Sequence, residues 1–269
     1  MKKRIALCMA ALCLLLTVLA AGCATGTAGK QATSGNYLKV GVRTNLDTFS
    51  AYQQEADTYY GYEADLARQL AIAMGYDGVQ YVGLDAAERE DALTDGRVDV
   101  LIAAYSYTEE RAERFDLSEP YYQDAGRVMV EKSTLFTGYQ DLKGATVAVR
   151  TGTDARENLI HKLYELGLIK ADTEAAAAAY VTITEMETYD AMNAALEYGT
   201  VDAVCADGCI TLPWLDETRC YFEEPVSSEN YVIATVKGSA LTAKVSTALA
   251  ELTDNGTVAR LMVKWGVGE

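Results

Sequence analysis

Ser106, Thr108 and Arg111 fall within six positions of one another in Ala104–Tyr122, where an apolar run gives way to an acidic helix start. Val98 to Ala103 is apolar apart from Asp99, which predicts a buried parallel strand ending at Ala104. Thr108 stands where a helix N-cap belongs, and Glu109 and Glu110 follow in the first turn. A strand end beside a helix start presents backbone N–H groups, hydroxyls and a guanidinium at one point. Arg111, three residues past the cap, is placed to grip a carboxylate through two parallel hydrogen bonds. The competing reading is an ordinary surface arginine on an acidic helix.

The elements that would carry these residues come in two sets. Ala92–Leu101 (ALTDGRVDVL) recurs 103 residues later as Ala195–Val204 (ALEYGTVDAV), and Lys39–Asp47 (KVGVRTNLD) recurs 107 residues later as Thr146–Asp154 (TVAVRTGTD). Matched order at nearly one offset implies two lobes on one plan. Strand patterns at Leu38–Val42, Val79–Val82, Val147–Val149 and Ala203–Ala206 alternate with helical ones, so the fold class is α/β. Tyr62, Leu66, Leu70 and Ala73 mark a helix stopped by Gly75. Asp85 with Glu88 forms a capping box for a helix ending at Gly96, and Asp154 with Glu157 one for a helix running to Leu166. Tyr231–Val236 reads as a strand, followed by a helix to Asn255–Gly256 and a last helix at Thr257–Trp265. Ligands of open α/β sheets bind beyond the carboxyl ends of the strands. The repeat therefore sets Arg43 opposite Arg150 and Ala104 opposite Asp207 across a cleft. Thr151–Asp154 adds a turn and a helix N-terminus suited to an anion.

Lys2, Lys3 and Arg4 followed by the uncharged Ile5–Ala21 read as a signal peptide over residues 1–22. Leu19-Ala-Ala-Gly-Cys23 resembles a lipoprotein cleavage box, making Cys23 the expected lipidation site and membrane anchor. Residues 23–36 read as a flexible tether. Removal of residues 1–22 leaves 20 Lys+Arg against 39 Asp+Glu, a net charge of −19, which argues against nucleic-acid partners. The single histidine, His161, and the absence of a His/Cys/acid cluster exclude a zinc site and any nucleophile system needing a second histidine. No metal and no cofactor are expected. Cys205 reads as a packed thiol, while Cys209 and Cys220 are candidates for a bond across a loop. Tyr52, Tyr59, Tyr105 and Tyr122 lie where a cleft could use them.

Ser106-x-Thr-x-x-Arg111 followed by Phe115-Asp-x-Ser-Glu-Pro-Tyr-Tyr122 resembles the core motif of the family 3 solute-binding proteins. These are extracytoplasmic receptors that deliver polar amino acids to ABC importers. Gly61-Tyr-Glu-Ala-Asp-Leu66 resembles a second family motif. Ala248-Leu-Ala-Glu-Leu252, Asn255-Gly-Thr257 and Lys264-Trp-Gly266 resemble the family ending, so the likeness spans 37–266. It implies a two-lobed, Venus-flytrap periplasmic-binding-protein-like fold with two crossover strands. One lobe would be 37–122 with 231–269 and the other 123–230, with crossings near Tyr122 and Tyr231. It implies that Arg111 holds a ligand α-carboxylate with Ser106 and Thr108 beside it, that amides around Thr153 and Asp154 add a second grip, and that Asp207 pairs with the α-ammonium. It also implies an ABC transporter permease as partner and an anchor of more than one acyl chain; a monomer is expected.

The aromatic residues that usually sandwich the ligand side chain come out as Leu46 and Ala86. Three arginines around one small ligand call for a second ligand carboxylate, which points to glutamate or aspartate with Arg43 the main contact and Arg150 secondary. Pairing of Arg43 and Arg150 with Asp47 and Asp154 is the alternative. Other polar amino acids, such as cystine or glutamine, remain open as ligands. The rival function is an enzyme on this scaffold, cyclohexadienyl dehydratase-like, using Glu55, Glu63 or Asp207 as proton donor. No convergent acid/base pair supports it.

Overall fold

The computed structural model describes residues 35–267. The expected signal peptide, Cys23 and nearly all of the tether lie outside the described residues. Among the described residues no helix is long and apolar enough to cross a membrane.

The chain opens with β1 (Tyr37–Val42), a small antiparallel sheet of β2 (Asn45–Leu46), β3 (Ser50–Gln53) and β4 (Thr58–Tyr60), then α1 (Tyr62–Ala73) and β5 (Gly78–Gly83). A 3-10 turn at Ala86–Glu88 leads into α2 (Arg89–Thr94), followed by β6 (Val100–Leu101), α3 (Glu109–Arg114) and β7 (Phe115–Leu117). The second set comprises β8 (Tyr122–Glu131), β9 (Thr146–Arg150), α4 (Ala155–Glu165), α5 (Glu174–Ala178), β10 (Thr182–Met186) and α6 (Tyr189–Glu197). It continues through β11 (Ala203–Asp207), α7 (Gly208–Thr211), β12 (Arg219–Tyr221) and β13 (Ser227–Tyr231). The chain then returns to the first set with β14 (Ala234–Val236), α8 (Ala240–Asp254) and α9 (Thr257–Trp265).

The repeat is visible in the strand orders. One sheet runs β5-β1-β6-β14-β7 and the other β10-β9-β11-β8-β12, with β13 also on β8. In each, three parallel strands are followed by antiparallel ones. The fold is therefore the expected two-lobed α/β arrangement. The lobes join where Tyr122 pairs with Tyr231, amid an aromatic hub of Phe49, Tyr62, Tyr121, Tyr122 and Tyr231. These rings bury apolar area where the chain crosses between the lobes.

Two strand expectations needed correction. The run Val98–Ala103 makes a regular strand only over Val100–Leu101, because β14 reaches it at Ala234↔Leu101 alone and the backbone turns at Ala104. Tyr231–Val236 is interrupted where the chain changes sheets: Val232 N–H donates to the Tyr105 carbonyl and Ile233 N–H to Ser118 Oγ, both at 2.9 Å. Gly61 closes the small sheet onto α1. Its φ is +117°, and a β-carbon there would stand 2.3 Å from the Phe49 carbonyl oxygen, so only glycine fits.

Candidate ligand cleft between the lobes

The Arg111 backbone N–H donates to Thr108 Oγ1 at 3.1 Å, which is the predicted N-cap. The cap starts α3 with Arg111 facing inward rather than on the surface: the residue is 8 % exposed. Its guanidinium lies 4.3 Å from the Tyr105 ring centroid and donates to the Ser106 carbonyl at 2.8 Å. It also stands 3.6 Å from Glu90 and, across the cleft, 3.7 Å from Asp154.

Arg43 and Arg150, at the ends of the equivalent strands β1 and β9, are both buried. They sit on the Tyr189 ring at 5.7 and 5.8 Å from its centroid. Neither makes the alternative Asp47 or Asp154 pair: Arg43 donates to Asn45 Oδ1 at 3.3 Å, and Arg150 stands 3.6 Å from Asp85 and 4.0 Å from Glu187. The Nε atoms of both arginines are buried without a hydrogen-bond partner. Burial, and then the charge of Arg43, hold Arg150 below the usual arginine range.

The opposite pole is acidic. Asp207, at the end of β11, accepts a hydrogen bond from the Tyr231 hydroxyl. Desolvation and then the charges of Glu229 and Asp154 push its carboxyl well above the usual range. Glu229 on β13 accepts from Asn158 Nδ2 at 3.0 Å and from Ser227 Oγ at 2.5 Å. Thr153 turns both its N–H (3.3 Å) and its Oγ1 (2.8 Å) back to the Arg150 carbonyl. The expected free amide at Thr153 is thus committed to its own turn. Asp154 takes the N-cap position of α4 but makes no side-chain cap bond, because its carboxylate faces Arg111.

Sequence reasoning placed Arg111, Arg43, Arg150, Asp207, Asp154, Ser106, Thr108 and Ala104 around one cleft; in the fold Arg111 meets Ser106, Thr108 and Asp154, and Arg43 and Arg150 meet over Tyr189. It missed Tyr189 and Arg89. Tyr189 lies 103 residues after Ala86, each directly after a helix-capping residue, Thr188 or Asp85. The offset of the first repeat therefore points to it: the absent lobe-1 aromatic has a lobe-2 counterpart. A cavity of about 130 Å³ opens beside Tyr189, lined by Asn45, Leu46 and Phe49 from one lobe and Cys209, Ile210 and Trp214 from the other. Cys205, Cys209 and Cys220 are free thiols, so the candidate Cys209–Cys220 bond is absent; Cys209 Sγ lies against the Tyr231 hydroxyl at 3.3 Å. His161 is exposed on α4 and paired with Asp172 at 2.7 Å, away from the cleft. Among the candidate proton donors, Glu63 is buried beneath Ala104, whose N–H it accepts at 2.7 Å.

Comparison with known proteins places these features in a family. The sequence profile of the bacterial extracellular solute-binding proteins, family 3, matches residues 38–268, and the chain belongs to that family. It is similar to the arginine-binding extracellular protein ArtP of Bacillus subtilis (27 % identity over 100 % of both chains). It is also similar to the ABC transporter glutamine-binding protein GlnH of the same organism, with 25 % identity covering 98 % of this chain and 97 % of that one. Among solved structures, an ancestral arginine-binding protein bound to arginine superposes with a TM-score of 0.72 at 27 % identity, covering 86 % of this chain and 98 % of that one.

Proposed function

We propose that this member of the family 3 extracellular solute-binding proteins captures a dicarboxylic amino acid, glutamate or aspartate, between its lobes for delivery to an ABC importer. Cys23 would be its lipid attachment point at the membrane. The amino-acid part of this reading is supported by the relatives, whose names record arginine or glutamine binding, and by a cleft with a basic and an acidic pole. The ligand α-carboxylate goes to Arg111, the ammonium to Asp207, and the side-chain carboxylate to Arg43 with Arg150.

One observation carries the choice of ligand: the two buried guanidiniums facing Tyr189 each keep an unpartnered Nε. A buried donor without an acceptor is costly, and Arg43, unlike Arg150, also has no carboxylate in ion-pairing range among the described residues. A second carboxylate relieves both, whereas the guanidinium of a ligand arginine would meet two like charges. The ligand bridges the lobes and so favours their closed arrangement. No bond is made or broken.

The deciding experiment is calorimetry on the purified protein. Glutamate or aspartate should bind at least about tenfold (1.4 kcal/mol) more tightly than glutamine or asparagine. Arg43→Ala should erase most of that gap. Tighter binding of arginine, cystine or an uncharged amino acid would overturn the assignment.

Asp207 adds a pH signature. Its proton must leave before the carboxylate can pair with the ligand ammonium, and burial with the charges of Glu229 and Asp154 raises its affinity for that proton. Ligand affinity should therefore rise with pH through a window above the ordinary carboxylate range and level off once Asp207 is ionised, with proton uptake by the buffer on binding. Asp207→Asn should abolish the proton release; titrations in buffers of different ionisation enthalpy measure it.

A further inference from the structure

The motif Gly61–Leu66 and the buried Arg89 converge on one residue that neither ligand recognition nor core packing accounts for. Ala104 has φ +47°, a left-handed backbone at a non-glycine residue in the middle of the cleft. L-residues with a β-carbon adopt this conformation only where the surroundings impose it. Here both ends of the residue are held. Its N–H donates to Glu63 Oε1 at 2.7 Å, and its carbonyl accepts from Arg89 Nη1 at 2.5 Å.

Neither holder is where a charge is comfortable. Glu63, in the first turn of α1, is completely buried; Tyr121 OH donates to its Oε1 at 2.5 Å, and its Oε2 has no partner. Arg89, 2 % exposed, has no carboxylate within ion-pairing distance among the described residues. It spends its donors on four main-chain carbonyls, those of Ala86 (2.9 Å), Ala103 (3.0 Å), Ala104 and, from the other lobe, Gly152 (2.9 Å). Burial, then the charges of Arg111 and Arg43, lower its pKa to about 10. Two unfavourable burials acting on one strained residue indicate a constraint that the site needs.

The grip itself begins directly after Ala104. Tyr105, the next residue, presents its ring to Arg89 at 5.1 Å and to Arg111 at 4.3 Å, and the Ser106 carbonyl holds Arg111. We propose that Glu63 and Arg89 are positioning residues that lock Ala104 in its left-handed conformation and so preset the Ser106–Thr108–Arg111 grip. Arg89, through its bond to Gly152, ties that grip to the approach of the second lobe. The proposal rests on the cleft being the ligand site, but its first readout needs no ligand.

Hydrogen exchange on the purified protein tests it. Arg89→Gln, and separately Glu63→Leu, should speed exchange of the Ala104 amide at least about tenfold while the amides of β1 keep their protection. Arg89→Gln should also weaken glutamate binding at least about tenfold. Adding Ala104→Gly should recover at least about threefold of that loss, because glycine reaches positive φ without being forced. A merely structural role for Arg89 gives no such recovery. If Arg89→Gln does not fold, Arg89→Lys, which can serve only some of the carbonyls, should show the same changes at smaller size. Unchanged exchange at Ala104, or no recovery with glycine, overturns the proposal. Failure of the unaltered protein to bind glutamate would instead overturn the ligand assignment and leave the exchange result to decide this one.

Discussion

Replacing Arg111 by alanine should weaken ligand binding by on the order of 2–5 kcal/mol, about thirtyfold to several-thousandfold. Arg111 is held in place before any ligand arrives, by the Tyr105 ring, the Ser106 carbonyl and the carboxylates of Glu90 and Asp154. Pre-organisation of this kind means that little rotamer entropy is lost when it takes up a carboxylate. Its removal leaves the ligand anion unmatched and Asp154 facing the cleft without its cation. Arg111→Lys should restore little, since a point ammonium cannot reproduce two parallel donors or the stacking on Tyr105. Calorimetry on the two variants measures both effects. Binding by Arg111→Ala within tenfold of the unaltered protein would show that the carboxylate grip lies elsewhere.

Gly152→Ala should be nearly as damaging, by a different route. Gly152 has φ +75°, and a β-carbon there would stand 2.5 Å from Ala87 Cα and 2.6 Å from Ala87 N on the opposite lobe. Those atoms are backbone and cannot rotate away, so the added methyl acts as a wedge. If the wedge disfavours the closed arrangement by about 3 kcal/mol, apparent affinity falls roughly a hundredfold, because only the closed fraction binds well. Gly144 supplies the control: its φ is +81°, but a β-carbon there meets nothing within 4 Å. Gly144→Ala therefore carries the cost of a left-handed alanine without the wedge. Small-angle scattering should show Gly152→Ala more extended than Gly144→Ala, with calorimetry reporting the larger affinity loss for Gly152→Ala. Equal behaviour of the two would mean that the turn's conformation, not lobe contact, sets the effect.

Local residue patterns were enough to establish the duplicated plan. The recurring apolar segments and their shared offset need no distant partner, and they become β1 and β9, β6 and β11, with Arg43 and Arg150 at equivalent strand ends. Side-chain capping was equally legible at Thr108 and at Asp85 with Glu88, because a cap depends on residues three apart. The last helix was bounded correctly by Asn255–Gly256 before it and Gly266 after it, glycine being the residue that takes the left-handed turn.

Features that depend on distant residues meeting emerged only in the folded chain. Asp154 had the spacing of a helix cap, yet the other lobe offers it Arg111, and a charged partner outweighs its own backbone amides. The repeat offset from Ala86 marks position 189, but only the folded chain shows the Tyr189 ring, from the lobe opposite Leu46 and Ala86, lying between Arg43 and Arg150. Ala104 looked like the plain end of a strand. Its left-handed backbone, and the bonds its two ends make to Glu63, 41 residues before it, and Arg89, 15 before it, are visible only in the folded protein.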